Sequence, residues 1–312
     1  MSQAEVLTFG ESMILLRAEN QVRLRGSYQS SIAGAESNVA IGLSRLGHEV
    51  TWASVLGDDE QGRLVRGTML GEGVQVAART DAQLPTGLML RENRVGSRSR
   101  VMYYRKGSAA STLSASDVLD HLAGVKLVHV TGITPAISPE CAKTTLEVLS
   151  AAREKGILVS FDINYRARLW DKDQAKKALE PILKLADVIT GSEEEFQLFS
   201  AVPAEETASG FLEVNASLVA IKKGAGGATL ITKGERLEIS AKSVEVRDTV
   251  GAGDAFCAGL LSGLLRELPL AEMGNLAAAC GGFCVGNEGD WEGAPSLSDL
   301  SMFDSDPGET IR

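Results

Sequence analysis

Asp248-Thr249-Val250-Gly251-Ala252-Gly253-Asp254-Ala255-Phe256 lies between a strand-like run, Ser243–Val246, and a long apolar helical stretch. Two glycines let the backbone come close to a ligand and allow positive φ. The helix that begins here aims its free N–H groups, and the positive end of its dipole, at whatever sits above Gly251–Gly253. That makes an anion site suited to a phosphoryl group in transfer. Asp254 stands at the same helix start. A carboxylate there can cap the helix, or it can take a proton from an attacking hydroxyl beside the anion site. Residue chemistry leaves both roles open.

Upstream of this stretch, strand and helix patterns alternate. Leu127–Val130 reads as a strand, 139–155 as a helix stopped by Gly156, Ile157–Ile163 as a strand and 172–185 as a helix. Val188–Thr190 is a short strand, 192–199 a helix and Leu218–Ile221 a strand. Ala228–Thr232 and Leu237–Ile239 form a hairpin around Lys233-Gly234, and two helices follow at about 252–267 and 270–285. Near the N-terminus, Val6–Phe9 is a strand closed by Gly10. Val39, Leu43 and Leu46 recur at helical spacing over Ser37–Leu46, Gly47 ends that helix, and Val50–Leu56 is a strand. Such alternation predicts an α/β chain with a mainly parallel sheet covered by helices on both faces. Two segments, about 11–33 and 85–107, carry no helical period. The second holds strand-like Gly87–Arg91 and Arg100–Arg105 about a Gly-Ser turn. Both read as strands of a small extra sheet standing off the main body. The tail 304–312 is polar and is expected to fray.

The bulk chemistry excludes several function classes. With 312 residues, 44% hydrophobic and 23% charged, the chain has the composition of a soluble globular protein able to form one large α/β domain over 1–312. Its net charge of −10 repels nucleic acid and anionic membranes, so neither is an expected partner. Any anionic ligand must then be held by a local cluster of Arg, Lys or backbone N–H groups. Cys141, Cys257, Cys280 and Cys284 read as reduced thiols of a cytoplasmic protein, and the N-terminus lacks the basic start and apolar run of a signal peptide. There is no G-x-x-x-x-G-K-[ST] loop, and Phe256 stands where a dinucleotide fingerprint needs its third Gly. The histidines His48, His121 and His129 are scattered, against a Ser-His-Asp or two-His metal site.

Asp248–Phe256 resembles the second signature of the ribokinase/PfkB carbohydrate kinases. Gly34-Ala35-Glu36-Ser37-Asn38-Val39-Ala40, with Leu46-Gly47 and Gly57-Asp58-Asp59-x-x-Gly62, resembles the first, with Ala33-Gly34 in place of the usual Gly-Gly pair. The match runs in order from about residue 5 to 300. The resemblance implies a three-layer α/β domain with a small β-sheet lid, and ATP and Mg2+ as cofactors. It makes Asp254 the base and the backbone N–H groups of Gly251, Ala252 and Gly253 the anion hole. It puts Gly34 and Asn38 beside the substrate. Lys222-Lys223-Gly224-Ala225-Gly226-Gly227 resembles the strand–glycine turn bordering the nucleotide, so Lys222, Gly224 and Gly227 are expected there with Ser192, Gly251 and Gly253. Thr190-Gly191-Ser192-Glu193-Glu194-Glu195 resembles the family's N-x-x-E element, with Ser192 where Asn is usual; Glu195 would organise magnesium through water. Read from the residues alone, Glu193–Glu195 is a solvated first helical turn favoured by the dipole.

Tyr103-Tyr104-Arg105-Lys106-Gly107-Ser108-Ala109 leads out of the second lid segment, and Asp162-Ile163-Asn164-Tyr165-Arg166 closes a strand at its C-terminal end, where open α/β sheets bind ligands. Two arginines converging on a pocket in an acidic chain favour a carboxylate-bearing substrate. These runs, with Gly132-Ile133-Thr134-Pro135-Ala136 and Gly289-Asp290-x-Glu292-Gly293-Ala294-Pro295, resemble the 2-keto-3-deoxygluconate kinase branch. That implies ATP-dependent phosphorylation of a sugar acid's terminal hydroxyl. Tyr103 and Arg105 would hold the carboxyl end, Arg166 would bridge substrate and phosphate, and Asp290 would meet a hydroxyl. Met89 stands where close relatives often carry an aromatic residue. The alternatives are a fructokinase or other neutral keto-sugar kinase, and a sugar-binding protein without turnover. Lid strands with open edges imply a homo-oligomer.

Overall fold

In the computed structural model, residues 4–18, 20–24, 26–95 and 98–301 are described. The tail 304–312 and the Gly96-Ser97 turn lie outside them.

Nine strands form one sheet in the order β13-β12-β11-β10-β9-β8-β1-β4-β5. They are β1 (Val6–Phe9), β4 (Val50–Gly57), β5 (Gln75–Asp81), β8 (Leu127–Thr131), β9 (Leu158–Asp162), β10 (Val188–Ser192), β11 (Leu218–Lys222), β12 (Ala228–Ile231) and β13 (Arg236–Ile239). From β5 to β11 every pairing is parallel, and the β11–β12–β13 edge is antiparallel. Side chains alternate across the sheet as the period of two demands. Leu7 and Phe9 of β1, Val128 and Val130 of β8, and Val219 and Ile221 of β11 enter one core; Val6, Leu127, Leu218 and Ala220 enter the other.

Helices α1 (Ala35–Arg45), α2 (Glu60–Gly71), α6 (Ala252–Leu265) and α7 (Leu270–Val285) cover the second core. Helices α3 (Pro139–Glu154), α4 (Lys172–Leu183) and α5 (Ala204–Val214) cover the first. Their starts follow from sequence: Ser138 caps α3 by accepting from the Cys141 N–H with Pro139 in the first turn, and Asp171 with Gln174 forms a capping box on α4. α6 carries no such cap and is buried continuously from Ala255 to Gly263, between α1 and α7. The three-layer α/β reading therefore holds. The expected helix over 192–199 shortens to one turn, Glu193–Phe196, and Ser243–Val246 forms no strand. The lid is also as expected. β2 (Met13–Ala18), β3 (Tyr28–Ala33), β6 (Leu88–Val95) and β7 (Arg98–Tyr104) make a separate four-stranded sheet ordered β3-β2-β6-β7, with β2 and β6 parallel.

Candidate active site

A cleft of about 800 Å³ lies between the lid and the C-terminal ends of the parallel strands, the place where open α/β sheets bind ligands. The body supplies Asp162 at the end of β9 with Asn164 and Arg166 beyond it, Ser192 at the end of β10 with Glu195 beyond it, Lys222 at the end of β11 with Gly224 beyond it, and Gly251, Gly253 and Asp254 at the start of α6. The lid supplies Met89, Tyr103 and Arg105, with Gly34, Asn38 and Asp290 completing the wall. Ala252 and Gly227 do not line it. Gly227 closes the turn into β12 at φ 87°, where a Cβ would lie 1.9 Å from the Ile239 carbonyl oxygen.

The α6 N-terminus is built by Gly251, at φ 75°, where a Cβ would stand 1.7 Å from the Asp290 carbonyl oxygen. Both the left-handed backbone and that close approach exclude any side chain. No side chain caps α6, and Asp254 accepts none of its N–H groups. Capping, one of the two roles the sequence left open for Asp254, is thus not what it does in this structure. The first-turn amides are left for a ligand.

Asp254 Oδ2 accepts from Asn38 Nδ2 at 2.8 Å. Burial pushes the Asp254 carboxyl up to about 7, the Asn38 bond pulls it down, and the Asp162 carboxylate raises it further against Lys222 and Arg166. Asp290 is also pushed up to about 7, by burial first and then by Asp254, against Arg91; its Oδ1 is buried without a hydrogen-bond partner. Lys222 Nζ donates to both Asp162 oxygens at 2.8 and 2.7 Å, and a Cβ on Gly253 would come within 3.6 Å of that Nζ. Its ammonium therefore sits under the first turn of α6. Although burial acts against it, the Asp162 charge holds Lys222 in its charged form. Asn164 adopts φ 40° between Asp162 and the exposed Arg166.

Glu195 stands 3.4 Å from a Cβ placed on Gly191, and its two oxygens accept from the Ser192 N–H at 2.8 Å and the Tyr165 N–H at 2.7 Å. The first bond belongs to a capping box with Ser192, so Glu195 is drawn inward, whereas Glu193 and Glu194 are exposed as the solvated-turn reading expects. Burial and then Asp162 raise the Glu195 carboxyl. Among the described residues no group of three or more His, Cys, Asp or Glu could hold a metal ion. Asp162 and Glu195 are carboxylates on the cleft wall, and magnesium, which keeps most of its water and takes phosphate oxygens, needs only one or two such groups.

Two charged residues of this cleft carried no signal in the sequence. Glu11, just beyond β1, is buried; its Oε2 lies 2.5 Å from Arg105 Nη2 and its Oε1 accepts from Ser108 Oγ. Arg105 therefore meets the cleft already paired, with its guanidinium 5.8 Å from the Tyr103 ring and its Nε buried without a partner. Glu11 also explains Gly34: a Cβ there would lie 2.3 Å from the Glu11 carbonyl oxygen, so the glycine serves a close backbone crossing. Arg91, on β6, forms the second unforeseen pair, with Asp248. No histidine lines the cleft, and all four cysteines are buried and free. Among the described residues no helix is long and apolar enough to cross a membrane.

Comparison with known proteins agrees with this geometry. Residues 3–297 match the family described as pfkB family carbohydrate kinase. A 2-dehydro-3-deoxygluconokinase of Bacillus subtilis is 36% identical over 307 residues, covering 96% of this chain and 95% of the relative. A probable fructokinase of Arabidopsis thaliana is 30% identical, covering 96% of each. The crystal structure of 2-dehydro-3-deoxygluconokinase from Thermotoga maritima superposes with a TM-score of 0.88 at 26% identity, covering 97% of this chain and 98% of that one. With the family matching nearly the whole chain, and a buried carboxylate, an open helix N-terminus and a lid gathered on one cleft, this protein belongs to the pfkB family of carbohydrate kinases.

Proposed function

We propose that this kinase phosphorylates the terminal hydroxyl of a keto sugar acid of the 2-keto-3-deoxygluconate type (2-dehydro-3-deoxygluconate in the relatives' names). The observation that carries this reading is Arg105: it lines the lid side of the cleft with a buried, unpartnered Nε, opposite Asp254 on the body side. A carboxylate is the natural bidentate partner of such a group, and Arg166 adds a second guanidinium at the strand ends. The similar Bacillus and Thermotoga proteins bear names of this activity.

ATP supplies the transferable phosphoryl group; magnesium, when bound, would offset its charge, and Glu195 is the residue that would hold the ion's water at the cleft. The work of the chain's own residues is positional and electrostatic. Asp254 takes the proton of the acceptor hydroxyl as that oxygen forms its bond to phosphorus and the bond to the departing diphosphate breaks. A carboxyl pushed up to about 7 is a stronger base than an ordinary carboxylate and is still about half ionised at neutrality. The amides of Gly251, Ala252 and Gly253 meet the charge that spreads over the transferring oxygens, with Lys222 beneath them. Gly224 and Ser192 border the nucleotide, and Gly227 shapes that turn from behind. Tyr103, Met89, Gly34 and Asn38 shape the acceptor pocket, and Asp290 meets a hydroxyl. With ATP as donor and four buried free thiols, the reaction belongs to the cytoplasm.

The neutral-ketose reading has one observation in its favour: Glu11 already neutralises Arg105. ADP release over 2-keto-3-deoxygluconate, its galacto epimer, fructose and ribose separates the two. Preference for a keto acid supports our reading; preference for fructose refutes it and leaves Arg105 as a lid brace. We also propose a homo-oligomer through the lid, whose edge strands β3 and β7 expose Tyr28 and Tyr104. Sedimentation as a strict monomer at micromolar concentration would end that idea.

A further inference from the structure

The lid reaches the phosphoryl-transfer turn through a buried contact between Arg91 on β6 and Asp248, the residue that opens the turn. Arg91 Nη1 donates to Asp248 Oδ2 and Nη2 to Oδ1, each at 2.7 Å, with both side chains less than a tenth exposed. A bidentate arginine–carboxylate pair fixes direction as well as distance. The same carboxylate holds the backbone on both sides of the anion hole. Oδ1 accepts from the Val250 N–H at 3.1 Å, one residue before Gly251. Oδ2 accepts from the Gly289 N–H at 3.3 Å, one residue before Asp290, whose carbonyl is the oxygen packed against Gly251. The Asp248 N–H in turn donates to the Val285 carbonyl. Asp248 is thus the junction of two loops whose spacing sets the α6 N-terminus, and the lid holds that junction from above.

We propose that Arg91 is a positioning residue for phosphoryl transfer: seated on Asp248, it lets the lid that holds the acceptor fix the Val250–Gly251 turn, so that the anion hole is in register only when the lid is in place. The inference rests on reading the 251–254 turn as the anion hole and on kinase activity, and it is independent of which sugar is the acceptor. Arg91 acts through Asp248. Its removal therefore lowers turnover while leaving the Michaelis constants of acceptor and ATP in place, whereas an arginine that binds substrate would raise a Michaelis constant. A misplacement of about 1 Å in such a site costs about 100-fold in rate.

The test uses the full chain with its preferred sugar, comparing Arg91→Ala, Arg91→Lys and Asp254→Asn with the parent. We expect Arg91→Ala to lose about 100-fold in kcat with both Michaelis constants within about threefold, and guanidinium ion at sub-denaturing concentration to restore part of the loss saturably. Arg91→Lys keeps the buried charge but loses the fork, so it remains folded and should lose about tenfold. A folded Arg91→Ala or Arg91→Lys enzyme with kcat within threefold of the parent, a raised Michaelis constant at unchanged kcat, or a loss that guanidinium does not relieve would overturn the proposal. If Asp254→Asn retains full activity, the reading of the 251–254 turn as the transfer site itself fails. If Asp254→Asn is inactive while the Arg91 variants are unaffected, only the present inference fails.

Discussion

Replacing Asn38 by Ala should move the acidic limb of the pH–rate profile upward. Asp254 must be ionised to take a proton, and burial has pushed its carboxyl up to about 7 despite the 2.8 Å bond that Asn38 donates. A hydrogen bond to an ionised group contributes about 1.5–3 kcal/mol. Water entering the space left by the amide returns part of that, leaving about 1.4 kcal/mol, or one pH unit. At pH 7 the ionised fraction of Asp254 would then fall from about half to about a tenth, and kcat/KM would drop about fivefold, recovering at higher pH. The assay is coupled ADP release at subsaturating acceptor, from about pH 5.5 to 9.5, on parent and variant. Asp254 and Asp290 repel each other and are pushed to similar values, so the limb belongs to the pair, and its displacement is the informative quantity. A limb that stays within about 0.3 unit, with the alkaline plateau intact, would refute the reasoning. So would a loss that is the same at every pH, which would make Asn38 an acceptor contact instead of a tuner of Asp254.

Four further outcomes are expected. Asp254→Asn should cut kcat by about 10²–10⁴-fold while acceptor binding, read by calorimetry, persists. Because the folded-state pKa of Asp254 is raised above its ordinary 3.8, its ionisation opposes folding as pH rises towards and past 7; the same variant should therefore raise Tm at about pH 8 and do so less at about pH 5. Arg105→Ala should weaken a keto-acid acceptor by about 2–4 kcal/mol in KM and barely change that of a neutral sugar, since only the acid loses a carboxylate contact and then faces the uncompensated Glu11 charge. Gly251→Ala, forced into φ 75° with its methyl 1.7 Å from the Asp290 carbonyl oxygen, should destabilise the fold by about 3 kcal/mol or more and abolish turnover, as read by thermal unfolding and ADP release.

The parallel sheet was legible because buried strands are short apolar runs and their helices end at Gly47 and Gly156, signals that survive without tertiary context. α2 and β5 went unread: α2 carries three glycines and three charges in twelve residues, and β5 is only half-buried at the sheet edge. Ser243–Val246 has the alternation of a strand but no partner, since β13 is already the sheet edge. The turn around Asp254 was readable as a run of contiguous residues. The pairs Arg91–Asp248 and Glu11–Arg105 were not, because each joins a charge to one 157 or 94 residues away, and only the fold brings them together. Glu195 stood between a solvated first turn and a metal-organising role, and its capping bond to Ser192 and its bond from Tyr165, in the loop beyond β9, depend on contacts that the run of acidic residues does not show.

The lid strands all lie between Met13 and Tyr104, whereas the uncapped helix and Asp254 lie beyond Asp248. On the proposed function, Arg166 and Asp290 apart, one stretch of the gene encodes what is held and another encodes what is done to it. Exchange of a few side chains on β6 and β7 can redirect such an enzyme from one acceptor to another while its chemistry is inherited unchanged. Arg91 is where that independence stops, because a substitution there alters both halves at once. Divergence of acceptor choice should therefore run through positions such as Met89, Tyr103 and Arg105 and leave Arg91 and Asp248 to change only together.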